Sequence, residues 1–167
     1  MAIEKVRAFF KEYGMDGQIM VFEESSATVE MAAHALKCAP QRIAKTLSFL
    51  VGERYVLVVT AGDARIDNAK FKAKLGCKAK MPSADEVLAK IGHAIGGVCP
   101  FAIPVGIPVY CDVSLQRFDT VFPACGSGNS AIELTIPQLE LYARCTEWVD
   151  VCKGWQTATD REDRAEG

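Results

Sequence analysis

The sequence predicts an α+β domain with a mixed, curved sheet. Three observations lead there. Short runs rich in β-branched and aromatic residues are bounded by turn residues, and helical runs interleave with them without the regular alternation of a doubly wound fold. Of the 167 residues, 50% are hydrophobic and 24% charged, the composition of a chain that buries one core. Residues 1–156 therefore read as a single domain, followed by a charged tail over 157–167 that is expected to fray.

Val6, Phe9, Phe10 and Tyr13 recur at helical spacing and Gly14 supplies a stop, so the chain opens with an amphipathic helix. A short strand is expected near Ile19–Phe22. Val29, Ala32, Ala33 and Leu36 then share one helical face, with Pro40 ending the run. Lys45–Val51 and Tyr55–Ala61, separated by Gly52 and Glu53, read as a strand pair. Asp67 caps a helix that carries Phe71 and Leu75 inward and stops at Gly76, and Ser83 with Glu86 forms a capping box for another ending at Gly92.

Residues 91–111 carry no charge and could pass for a membrane span by hydropathy. Gly92, Gly96, Gly97, Pro100, Pro104, Gly106 and Pro108 would leave backbone groups unpaired in lipid, so a buried irregular loop is expected. Strands follow at Val109–Asp112 and Thr120–Ala124. After the turn Gly126–Asn129 comes a strand through Ala131, Ile132, Glu133 and Leu134. Thr135, Pro137 and Gln138 start a helix that runs through Tyr142, before a last strand at Trp148–Cys152.

The 19 basic residues against 21 acidic ones leave a formal charge of -2, so any RNA contact has to be local and the whole-molecule field draws the chain to neither DNA nor an anionic membrane. The first residues lack the basic segment and apolar stretch of a secretory signal, so a cytosolic location is expected. Seven cysteines without a C-x-x-C pair and only two histidines point to core thiols in a reducing compartment and to no metal site. The sequence has no G-x-S-x-G, H-E-x-x-H, Walker loop or strand-linked G-x-G-x-x-G, which removes the common triads, zinc proteases and nucleotide enzymes, and no cofactor is expected.

Four strings remain: A-K-T-L at 44–47, G-D-A-R-I-D-N-A-K at 62–70, I-G-H-A-I-G-G-V-C-P-F at 91–101 and G-S-G-N-S-A-I-E-L at 126–134. In that order and spacing they resemble the YbaK/ProX aminoacyl-tRNA deacylases, a family related to the editing domain inserted in bacterial prolyl-tRNA synthetases. The resemblance implies a barrel-like sheet and hydrolysis of a small wrong amino acid (alanine, cysteine, serine or threonine) from the 3′ end of a tRNA. It implies that aminoacyl end as a partner, with a synthetase as a second. It puts the family's lysine on Lys45, its glycine-proline loop on Gly96, Gly97, Val98, Cys99 and Pro100 with Phe101 after them, and its later turn on Gly126 and Ser127. Where relatives carry a glycine after that phenylalanine this chain has Ala102, a departure that bears on the loop's backbone shape.

The chemistry fits these residue types. An aminoacyl ester needs an oriented water and a stabilised oxyanion rather than a protein nucleophile, and paired glycines let backbone N–H groups approach it. Lys45 offers a compact cation for a phosphate or for the reacting carbonyl; by position alone it reads as a solvated strand-edge lysine. Lys70, Lys72 and Lys74 form a basic stretch suited to weak contact with tRNA phosphates or to plain solvation. Asp63, Arg65 and Asp67 read as a surface ion network plus a helix cap. Two rivals stand beside the deacylase: a non-catalytic tRNA- or synthetase-binding module on the same fold, and a hydrolase that uses Cys99 as its nucleophile.

Overall fold

The computed structural model describes residues 2–156, so the expectation for the 157–167 tail falls outside the described residues. The first helix, α1 (Ala2–Lys11), buries Val6 and Phe10. Phe10 meets Phe101 edge-on at 4.8 Å and Tyr142 at 5.3 Å, which pins the irregular loop after residue 91 against the C-terminal third of the chain. The short β1 (Met20–Val21) leads into α2 (Val29–Leu36), capped by Thr28, whose hydroxyl accepts from Met31 N–H. Lys37 in a left-handed conformation (φ 55°) ends α2 before Pro40 is reached, and Pro40 opens a separate 3₁₀ turn.

The frame of the molecule is β2 (Ile43–Val51) and β3 (Arg54–Ala61), antiparallel in register from Ala44↔Ala61 to Val51↔Arg54. Parallel partners extend it on both sides. β5 (Val109–Asp112) and β9 (Glu147–Val149) add beside β3, and β6 (Thr120–Pro123) adds beside β2 with β8 (Leu134–Thr135) antiparallel at the edge. The result is a mixed six-stranded sheet, β8-β6-β2-β3-β5-β9, curled into a half-barrel as expected. Its parallel pairs need crossovers, which α3 (Asn68–Leu75), α4 (Ala84–Lys90) and α5 (Ile136–Tyr142) supply together with loop segments. Phe49 on β2 packs against Phe71 of α3 at 4.8 Å between ring centres.

The cap chemistry is realised at each expected helix. Asp67 accepts from Ala69 and Lys70 N–H groups, Gly76 closes α3 at φ 88°, and Ser83–Glu86 and Thr135–Gln138 form complete capping boxes. Two strands read as continuous are broken. The stretch after the Gly126 turn splits into β7 (Ser130–Ala131), paired with β1, and β8, paired with β6, because successive residues serve two different sheets. The last strand also splits, into β9 and β10 (Cys152–Lys153), the latter paired with β4 (Arg65–Ile66). The break falls where Val151 N–H turns aside to the buried Asp112 carboxylate at 2.9 Å.

Candidate functional site

Beside β2 lies a cleft of about 330 Å³. One wall is the β2 run from Ile43 to Ser48, another is the segment Ser26–Val29 with Ala32 of α2, and Gly96 and Val98 of the irregular loop close a third side. Phe122, Ala124, Ser130 and Ala131 complete it, with Met81 and Ile95 exposed at its edge.

Lys45 is the basic residue of this lining. It stands opposite Thr60 on β3, and its Nζ donates to the Gly62 carbonyl at 3.4 Å. Burial among apolar neighbours pushes its ammonium pKa below the usual lysine value, against the upward pull of Cys152, Asp63 and Glu30. Gly62 explains how that pocket is built. A β-carbon there would sit 2.1 Å from the Pro40 carbonyl oxygen, so only glycine lets the 3₁₀ turn close over the end of β3. Gly62 belongs to the G-D-A-R-I-D-N-A-K string, which by itself assigns it no role. A glycine directly after a run of apolar strand residues was the available signal.

The irregular loop is divided in its duties. Gly96, at φ 94°, lines the cleft, and a β-carbon on it would come 3.2 Å from Ala27 Cβ. No backbone or side-chain acceptor within the described residues takes the N–H of Gly96 or of Val98. The Gly97 N–H, by contrast, donates to the Ala94 carbonyl at 3.0 Å, so it is not available to a ligand. Gly97 is there for close packing: a β-carbon would lie 2.8 Å from three backbone atoms of Ser127.

Other residues of the expected site lie behind the wall. Cys99 is fully buried, its Sγ 3.6 Å from His93 Nε2 and 3.8 Å from the Phe101 carbonyl, and burial pushes its thiol up to about 12. Such a thiol stays protonated and closed to substrate. Phe101 is equally buried against Phe9 and Phe10, and Pro100 faces a different hollow, beside Phe9 and Ala102. Gly126 (φ 90°) approaches Ala2 too closely for any β-carbon, and Ser127 Oγ lies 2.7 Å from Ser130 Oγ, so this turn braces the wall from outside. The brace continues through Ser26 N–H to the Gly128 carbonyl at 2.6 Å and Asn129 Nδ2 to the Phe22 carbonyl at 3.0 Å. Ala102 adopts φ 54°, a left-handed backbone at the position where the resemblance expects glycine.

None of Lys70, Lys72 and Lys74 lines the cleft. Lys70 pairs with Asp150 at 3.1 Å and Lys74 pairs with Glu147, while Lys72 is exposed. The expected Asp63–Arg65–Asp67 network is replaced by a bidentate pair between Asp63 and Arg117, at 2.6 and 3.1 Å, with Asp67 kept as a cap. Among the described residues no helix is long and apolar enough to cross a membrane, and no group of three potential metal ligands comes together.

Residues 23–141 match the aminoacyl-tRNA editing domain. The chain belongs to that family. It is 50% identical over 157 residues to the uncharacterized protein YwhH of Bacillus subtilis, covering 93% of this chain and all of that one. The proline–tRNA ligase of Solidesulfovibrio magneticus is 35% identical over 92 residues, 53% of this chain but only 15% of the ligase. Among solved structures, one assigned provisionally as a trans-editing enzyme for prolyl-tRNA synthetase superposes with a TM-score of 0.82 at 24% identity, covering 92% of this chain and 98% of the other. A hypothetical protein superposes at 0.79 with 27% identity, covering 89% and 99%. The first likeness places the curled sheet and its helices in the editing-domain fold, and the second shares that fold.

Proposed function

We propose that this protein is a trans-acting aminoacyl-tRNA deacylase, which hydrolyses the ester joining a small wrong amino acid (alanine, cysteine, serine or threonine) to the tRNA 3′ end. The observation that carries the reading is Lys45, partly buried on the wall of a cleft of about 330 Å³ that is also lined by Gly96 and Val98, whose N–H groups are unengaged among the described residues. Water adds to the ester carbonyl, charge gathers on the carbonyl oxygen, and collapse releases the free amino acid and the ribose hydroxyl. Fixed N–H donors stabilise that oxyanion without reorganising, and the Lys45 ammonium holds either the terminal phosphate or the same oxygen. The donor role passes from the Gly96–Gly97 pair to Gly96 and Val98, since the Gly97 N–H is already bonded.

Size selects the side chain. Ala32, Ile43, Ala44 and Phe122 supply the apolar lining against which a side chain would be measured. Lys72 and its neighbours Lys70 and Lys74 offer weak contacts to tRNA phosphates, and the relatedness to prolyl-tRNA synthetases suggests a synthetase as second partner in the cytoplasm. The closed, protonated Cys99 counts against a thiol nucleophile, and unengaged donors on residues that line the same cleft as a cation count against a purely binding module.

The test is deacylation of a panel of mischarged tRNAs by wild type and Lys45→Ala. The variant should fold and lose well over about tenfold in rate, because a positioned charge is removed and no core volume. Near-wild-type turnover by folded Lys45→Ala would refute the assignment.

A further inference from the structure

Among the described residues three buried side-chain polar atoms have no hydrogen-bond partner: Ser26 Oγ, Thr46 Oγ1 and His93 Nδ1. Two of the three belong to the wall of one cleft. Buried hydroxyls are normally satisfied, so two orphans on residues that line the same cavity call for a common explanation, and a ligand that bonds to them supplies it. They come from different elements: Ser26 from the loop before α2, Thr46 from β2 next to Lys45. Neither is drawn into the bracing network by its side chain; Ser26 contributes only its backbone N–H, to Gly128.

We infer that Ser26 and Thr46 set the specificity of the cleft, acting together as hydrogen-bond partners for a hydroxyl on the substrate's side chain, so that seryl and threonyl esters are preferred over alanyl ones. The inference rests on the deacylase reading. Its added step concerns depth. The side chain is the part of a 3′-aminoacyl group farthest from the RNA, and it enters the part of the lining formed by the buried Ala32, Ile43, Ala44 and Phe122. The two orphan oxygens belong to buried positions on two walls of the same cleft. A hydroxyl both donates and accepts, and swings between staggered wells by rotation about one bond, so each can turn to meet a ligand oxygen. An alanyl methyl would leave both hydroxyls unpaired in the closed complex, which is the condition under which an enzyme discriminates strongly against an analogue lacking a polar group.

The experiment measures kcat/KM on one tRNA charged in turn with serine, threonine and alanine, for wild type, Ser26→Ala, Thr46→Val and Thr46→Ser. The wild type should favour serine and threonine over alanine by at least about tenfold. Ser26→Ala and Thr46→Val should bring that ratio toward one, and Thr46→Ser, which keeps the hydroxyl, should retain it. A ratio is insensitive to a general loss of folded enzyme, so a merely structural role would not move it. Equal wild-type rates on all three esters, or variants that slow all three by the same factor, would overturn the inference while leaving the deacylase reading intact. If folded wild type cleaves none of the three but cleaves the cysteinyl ester, the inference alone falls; if it cleaves no ester of the mischarged panel, the deacylase reading fails and the inference falls with it.

Discussion

Adding one methyl group to Gly97 tests how the cleft is held. The β-carbon of Gly97→Ala would stand 2.8 Å from the N, Cα and C atoms of Ser127, against about 3.4 Å for ordinary contact, so the loop and the turn must separate by about 0.6 Å. The obstacle is backbone on both sides, and the Ser127 turn is itself tied to Ser130, so neither part yields cheaply. Overpacking of this kind costs about 1–3 kcal/mol, and alanine recovers about 0.4–1 kcal/mol by stiffening the unfolded chain. The expected net loss is about 1–2 kcal/mol, which for a chain of this size lowers Tm by about 2–8 °C. The functional loss should be larger than the stability loss suggests. Gly96 and Val98 flank the displaced residue, and a misplacement approaching 1 Å at donors aimed at an oxyanion costs up to about 100-fold in kcat. Thermal melts and single-turnover deacylation of the same preparation measure both. A variant that keeps wild-type Tm and turnover would show that the Gly97–Ser127 contact does not position this wall.

Three further outcomes follow from neighbouring residues. Ala102→Gly should retain activity and change stability by less than about 1 kcal/mol, because relief of a left-handed alanine is offset by backbone entropy and a lost methyl; chemical denaturation checks this, and a larger loss would mean that the methyl packs more tightly than its backbone strain costs. Cys99→Ser should deacylate at near-wild-type rates, since the buried thiol is held protonated and serine can still donate to the Phe101 carbonyl; abolished turnover, or a trapped acyl-Cys99, would restore the thiol mechanism. Burial pushes the His93 pKa below its usual value, so the unfolded chain takes up that proton first: the stability linked to neutral His93 is complete above about pH 6.5 and is lost as pH falls toward the lower folded value. Melts across pH 7 to 5 on wild type and His93→Gln should show a steeper acid loss in the wild type, and parallel curves would refute the linkage.

Local chemistry made most of the fold legible. Asp67, Ser83 and Thr135 announce their helices because a cap is a contact between residues three positions apart, and the strand pair 43–61 announces itself by two apolar runs around Gly52. The breaks at Ile132–Glu133 and Asp150–Val151 were not legible, since they are set by partners distant in sequence: β1 against β7, β4 against β10, and the Asp112 carboxylate that takes the Val151 N–H. Pattern shows which residues extend a strand. It does not show which neighbour they will find.

The candidate site divides along the same line. Lys45, Gly96 and Val98 stand on the cleft wall where a resemblance in sequence put them, yet Gly97, Cys99, Pro100, Phe101, Gly126 and Ser127 do not line it. In a motif such as G-G-V-C-P-F, residues that touch a ligand and residues that hold those residues in place occur side by side, and only their contacts separate them. Gly97 spends its N–H on Ala94 and its missing β-carbon on Ser127, and Phe101 spends its ring on Phe9 and Phe10. Conversely, Ser26 sits in no recognised string, Thr46 stands in A-K-T-L with no role of its own there, and both become visible only once burial and the absence of a partner are taken together. On the proposed reading, function in this cleft draws on two kinds of incompleteness, donors without acceptors at Gly96 and Val98 and hydroxyls without partners at Ser26 and Thr46, and each marks a place where the described residues alone leave a hydrogen bond to be made.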